Sequence, residues 1–113
     1  RHRLQVAVAV EGEGDLSPEV QVVFYRVAQE ALNNVTKHAR ADQVTFRLAY
    51  QAEAVTLQVE DDGRGFIPAQ VSPNSLGLSI MRERAAQIGA DLAVASTPGR
   101  GTTITLRYPR PNP

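Results

Sequence analysis

Apolar and polar residues alternate at the start of the chain. In RLQVAVAVE, Leu4, Val6, Val8 and Val10 fall on one side, which predicts a half-buried strand. EGEGDLSPE breaks the alternation as a loop. Ser17 followed by Pro18 offers an N-cap and a first-turn residue for a helix. The period then changes. From Pro18 to about Ala39, Val20, Val23, Phe24, Val27, Ala28, Ala31, Leu32 and Val35 recur with helical spacing on one broad face. ARAD turns the chain. QVTFRLAY and AVTLQVEDDG alternate again, and the short QAEA between them predicts a hairpin. DGRGFIPAQVSPNS, with Gly, Pro and Asn spread along it, reads as a loop with room for a short helix. LGLSIMRERAAQIGA predicts a second helix ending near Gly89. DLAVAS and TTITLRYP are strands around a TPGRG turn, and RPNP is a tail.

The order β, α, β, β, loop, α, β, β predicts an α/β fold, a two-layer sandwich. Its mixed, mostly antiparallel sheet of about five strands carries helices on one face. Thr45, Arg47, Thr56, Gln58, Glu60, Thr103, Thr105 and Arg107 fall on the opposite parity and suit a sheet face in water. The 113 residues suffice for a single domain, 1–113, with a real core.

Composition narrows the function. Formal net charge is zero, so no broad basic surface for nucleic acid is expected. The absence of cysteine excludes disulfides, thiolate zinc sites and cysteine nucleophiles. No apolar run reaches the ~18 residues of a membrane span, so direct membrane contact is not expected. The chain opens on RHRLQV, without an initiator Met or a signal-peptide pattern. It therefore reads as a domain cut from a larger protein, compatible with the cytoplasm.

Four places carry candidate chemistry. The first is EALNNVTKHA, residues 30 to 39. With Glu30 at zero on a helical wheel, Asn34 lies about 40° round, Lys37 about 20° the other way and His38 about 80° round. Glu30, Asn34 and Lys37 then line one edge of the apolar stripe, and His38 leans into it. Taken alone, these residues fit a solvated amphipathic edge better than a site. The second is VEDDGRGF. Alternation puts Asp61 on the face of Val55, Leu57 and Val59, pointing inward at a strand end, where a carboxylate needs hydrogen-bond donors. Gly63 and Gly65 allow positive φ and close approach. A plain turn capped by Asp61 or Asp62 accounts for the same residues equally well. The third is Thr102, which shares the inward parity of Ile104, Leu106 and Tyr108; a β-favouring Thr after a tight turn is the plainer account. The fourth is SLGLSIMRER, where Gly77 and Leu78 open a helix whose free N–H groups suit phosphate. There, Arg82 and Arg84 suit surface ion pairs.

Together the four describe one pocket. Asp61 and Thr102 suit a flat base with an amino group. Asn34 offers an amide oxygen to a hard cation such as Mg2+. Lys37 and the Gly77 backbone offer positive charge to phosphates, and Glu30 stands beside the cation position.

In this order the motifs resemble the catalytic ATP-binding domain of two-component sensor histidine kinases, the Bergerat fold of the superfamily shared with gyrase, Hsp90 and MutL. The resemblance runs from about Leu4 to Pro109. FYRVAQEALNNVTKHA is similar to the asparagine box, VEDDGRGF to the first glycine box, and SLGLSIMRERAAQIGA and STPGRGTTITLRYP to the later glycine motifs. YRVAQEAL with GLxxMRERA points to the subgroup of the nitrate and degradative-enzyme sensor kinases.

The resemblance implies ATP and Mg2+ as cofactors and roles position by position. Asn34 matches the Mg2+ ligand and Asp61 the acceptor of the adenine amino group. Gly63 and Gly65 match the glycines shaping that end, and Thr102 the hydroxyl supporting adenine recognition. Lys37 matches a phosphate-contacting cation, His38 a residue packing near the nucleoside, and Gly77, followed by Leu78, a lid glycine near the phosphates. Glu30 stands where many histidine kinases carry Asn and the ATPases carry a catalytic Glu, so it is either a base or an orienting group. The lid between Phe66 and Gly77 is short, with Pro68 and Pro73 and no phenylalanine-rich segment, and Ser75 replaces a common glycine.

The implied activity is transfer of the γ-phosphoryl group to a histidine on a separate helical phosphoacceptor domain, through which the full-length kinase forms a homodimer. A response regulator acts downstream. His2 and His38 do not match the acceptor, so this chain should bind nucleotide with little transfer alone. The parent can be membrane-anchored while this domain stays cytoplasmic. The rivals are an ATP-hydrolysing conformational module, an anti-sigma-type serine kinase, and a degenerate interaction domain that binds no nucleotide.

Overall fold

A computed structural model of the protein describes residues 3–72 and 74–110. Arg1, His2, the lid residue Pro73 and most of the RPNP tail lie outside the described residues. The periodicities of the chain become β1 (Gln5–Glu11), α1 (Pro18–Asn34), β2 (Gln43–Tyr50), β3 (Ala54–Asp61), α2 (Leu78–Gln87), β4 (Asp91–Ser96) and β5 (Thr102–Pro109). Between β3 and α2, short 3-10 turns occupy Pro68–Gln70 and Ser75–Gly77. Ser17 takes the extended N-cap conformation before Pro18, although its hydroxyl makes no cap hydrogen bond.

The sheet order is β1-β2-β3-β5-β4. β1 runs parallel to β2, with α1 as the crossover between them; every other pairing is antiparallel. Both helices cover one face, as the element order predicts. Val20, Val23, Phe24, Val27 and Ala31 of α1 and Leu78, Met81 and Ala85 of α2 pack on Val44, Val55, Leu57, Val59, Ile104 and Leu106. On the other face, Arg47 and Glu60 form an exposed ion pair at 3.6 Å.

Two expectations are corrected. β1 is not half-buried: Val6, Val8 and Val10 are 55%, 71% and 59% exposed. Register puts them beside Val44, Phe46 and Leu48, on the helix-covered face. The helices, however, pack over β3, β5 and β4, and leave the edge strand bare. Alternation defines a face but not what lies above it.

The helix from Pro18 also changes form. Its last turn, Val35–Ala39, is π-helical, and Arg40 ends it in the left-handed region at φ 53°, ψ 39°. A π turn advances each residue by roughly 80° in place of 100°. From Asn34 onward this carries Lys37 away toward solvent and swings His38 out of the apolar stripe, past Asn34. His38 accordingly is exposed and does not pack into the core.

Candidate functional site

The ends of β3 and β5, the end of α1, and the loop entering α2 enclose a cavity of about 440 Å³, a volume typical of small-molecule sites. Its floor is apolar, from Ala31, Val35, Val59, Leu78 and Ile104. Its polar groups are few: Asn34, His38, Asp61, Arg64, Ser75 and Thr102.

Asp61 is the last residue of β3 and sits opposite Thr102 in the ladder. It is the one buried charged residue among those described, at 8% exposure. Its Oδ1 accepts from the Gly63 N–H at 2.8 Å, and the Thr102 N–H also donates to the carboxylate. Burial pushes the Asp61 carboxyl above the ordinary carboxylate value. The two N–H groups pull it partly back, and the neighbouring Asp62 and Glu60 push it further up. Its neighbour does different work. Asp62 points outward, and its Oδ1 accepts from the N–H groups of Asp42 and Gln43 at 2.9 and 3.0 Å, which fastens the start of β2 to the end of β3.

The glycine turn after Asp61 is held on three sides. The Arg64 N–H donates to the Ala39 carbonyl at the helix end, the Gly99 N–H to the Arg64 carbonyl, both at 2.7 Å, and the Phe66 N–H to Ser96 Oγ at 2.8 Å. Gly63 is required there because a Cβ would run into the Ala39 carbonyl. Gly65 lines the cavity directly.

At the far end, Asn34 Nδ2 donates to the Leu76 carbonyl at 2.5 Å. A carbonyl oxygen only accepts, so the amide orientation is fixed, and Oδ1 is the end left for another partner. Leu76 and Gly77 both adopt positive φ, 62° and 64°, before α2 begins at Leu78. At Gly77, a Cβ would also collide with the Glu30 carboxylate.

The structure thus brings Asn34, His38, Asp61, Gly65, Leu78 and Thr102 to one cavity, with Gly63 and Gly77 shaping its ends. Glu30 and Lys37 are not part of the lining. Glu30 lies against Gly77, in a separate, smaller groove with Arg26 and Arg84, and Lys37 is exposed on the π turn. Residues that the sequence reasoning passed over also contribute. Arg64, Phe66, Val71 and Leu76 line the cavity. Ser96 Oγ hydrogen-bonds with Thr102 Oγ1 at 2.8 Å, donates to the Gly101 carbonyl at 3.2 Å and so braces the Asp61 end. Its signal was available: in DLAVAS, Ser96 shares the inward parity of Leu92 and Val94 at a strand end, as Asp61 and Thr102 do in theirs.

The site is an apolar cavity in a two-layer sandwich, with one buried carboxylate at one end and an amide at the other. The chain belongs to the family of histidine kinase-, DNA gyrase B- and HSP90-like ATPases, whose family model matches residues 19–112, and it is an ATP-binding domain of the histidine-kinase kind. It is 40% identical to the sensor histidine kinase LiaS of Bacillus subtilis over 94 residues, which is 83% of this chain and 26% of that protein. To the histidine-protein kinase/phosphatase DegS of Brevibacillus brevis it is 35% identical, over 87% of this chain and 26% of that protein. The histidine kinase domain of the blue-light activated histidine kinase of Erythrobacter litoralis EL346 superposes with a TM-score of 0.77 at 30% identity. That match covers 95% of this chain and 52% of the solved chain. The present chain spans about a quarter of the length of its curated relatives.

Proposed function

We propose that this cavity takes ATP with its adenine at the Asp61 end and its phosphates toward Asn34 and the loop entering α2. In a longer parent protein the γ-phosphoryl group then passes to a histidine on a separate helical domain. The main support is the Asp61 carboxylate. It is buried and held by two backbone N–H groups at the end of an apolar slot, which leaves its remaining lone pairs to accept from an exocyclic amino group. Thr102, oriented by Ser96, supplies a hydroxyl beside it.

Asn34 fits a Mg2+ ion that keeps most of its shell from phosphate and water. Its Oδ1 is free of the Leu76 contact, and no group of three or more His, Asp or Glu side chains fit to hold a metal occurs among the described residues. Bound there, the ion would neutralise charge on the phosphates. Gly77 and Leu78 present N–H groups at the start of α2 and His38 walls the nucleoside side, while Lys37, turned toward solvent on the π turn, is left without a phosphate role in this reading. Glu30 stands outside the cavity and against Gly77, from where it serves either as a base or as an orienting group. In the transfer, an imidazole nitrogen of the acceptor forms the new bond to the γ-phosphorus while the bond to the β-bridging oxygen breaks and ADP leaves. Positioning and charge neutralisation carry such a step.

The whole protein would be a homodimeric histidine kinase acting on a response regulator. This domain would stand in the cytoplasm, where ATP is; none of its described helices is long and apolar enough to cross a membrane. The test supplies the helical domain of the parent with this chain, ATP and Mg2+. Acid-labile, base-stable phosphate should appear on the helical domain, and little on this chain alone. Transfer to serine, or free phosphate with no phosphoprotein, contradicts the proposal.

A further inference from the structure

The edge strand β1 stands apart from the cavity, with β2 between it and β3. Among the described residues no strand pairs with its outer side. Gln5 donates its N–H to the Asp42 carbonyl in the parallel ladder with β2. By alternation, Gln5, Ala7, Ala9 and Glu11 turn their backbone groups inward to β2, and Val6, Val8 and Val10 turn theirs outward. Native edges are usually protected by charge, Pro, a bulge or a cover. Gln5–Val10 carries no charge, Pro or Gly, and its valines are largely exposed.

Charge is instead placed at the two ends: Arg3 before the strand, Glu11 at its close. Gly12, at φ 77°, bends the chain directly after Glu11, so the segment offered for pairing is β1, Gln5–Glu11, with Arg3 and Leu4 leading into it. That segment is complementary to itself when reversed. In an antiparallel pair with its two-fold axis at Ala7, Arg3 of each copy lies opposite Glu11 of the other. Leu4 lies opposite Val10, and Val6 opposite Val8. Every residue stays on its own face, and the pairs with outward backbone groups fall opposite one another, as a hydrogen-bonded antiparallel ladder requires. Opposite charges meet at both ends and apolar side chains pair between them.

We propose that β1 is a docking edge for a second copy of this chain, by antiparallel pairing centred on Ala7, joining the two sheets into one. Both cavities remain open, since neither lies near β1. The strip is small against a standard interface, so the dimer is weak and depends on concentration.

Sedimentation of the 113-residue chain from micromolar to millimolar concentration tests this. The weight-average mass should climb from monomer toward dimer. Arg3→Glu alone and Glu11→Arg alone each set like charges opposite at both ends of the pair, and each should weaken association tenfold or more. An equimolar mixture of the two variants restores opposite charges at both ends and should associate like the parent. Val8→Pro removes an outward N–H without touching the β1–β2 ladder and should abolish association; the charge variants, at exposed positions, decide the matter if that chain folds poorly. A monomer at every concentration overturns the proposal and leaves the valine row to another occupant. So does a dimer indifferent to charge reversal, or a mixture no stronger than its parts.

Discussion

Asp61 combines two demands that oppose each other. Its carboxylate is nine-tenths buried, which disfavours charge, yet the proposed adenine contact calls for a charged acceptor. Burial is the larger influence, so the folded-state pKa is raised. A raised pKa means that the group's contribution to stability is fully present below the unfolded value. It is lost as pH rises through the folded one. Asp61→Asn has no proton to lose. Denaturant unfolding of the two proteins from about pH 4 to pH 7 should therefore show the variant gaining on the parent as pH rises. If the parent gains on the variant over that range, the charged carboxylate is a stabilising group and the assignment of its environment is wrong. The placement of Asp61 was legible from alternation alone, because Val55, Leu57, Val59 and Asp61 share one parity and all are buried. What alternation could not supply was the division of labour with Asp62, which depends on the close start of β2.

The elements were legible wherever a period ran unbroken, and less so where a terminus or a neighbour decides the outcome. The strands of the hairpins end where their patterns end, and the five-strand mixed sheet is the one expected. The π turn at Val35–Ala39 has no signature in residue spacing, and it is what carries Lys37 further from Asn34 and His38 out of the apolar stripe. Its exit is strained: Arg40 holds a left-handed conformation that costs an L-residue roughly 1–2 kcal/mol. Arg40 is exposed and does not line the cavity. Arg40→Gly removes that strain and adds a smaller entropic cost. The variant should be more stable by a few tenths to about 1 kcal/mol in urea unfolding, with nucleotide affinity unchanged. A loss of stability would mean that the arginine side chain holds the turn through contacts that outweigh its strain. The bareness of β1 was likewise illegible, since it follows from how far α1 and α2 reach across the sheet.

At the scale of the whole molecule, chain segments far apart in sequence converge on one cavity: the end of α1, the Asp61 turn, the loop into α2 and the β4–β5 hairpin. Each was an unremarkable local feature. Their common destination follows from the strand order, which sets β3 against β5 and so Asp61 against Thr102. The central claim is that this cavity binds the adenine nucleotide through the Asp61 carboxylate. Titration calorimetry of ATP and of inosine triphosphate, with Mg2+, into the parent and the Asp61→Asn chain tests it most directly. Inosine carries a carbonyl where adenine carries its amino group, and a hydrogen bond to a charged acceptor is worth about 1.5–3 kcal/mol, roughly tenfold to a hundredfold in affinity. The parent should bind ATP at least tenfold more tightly than inosine triphosphate, and Asp61→Asn should lose most of both the affinity and the preference. No heat of binding at millimolar ATP, or a preference for ATP that survives Asp61→Asn, would contradict the account.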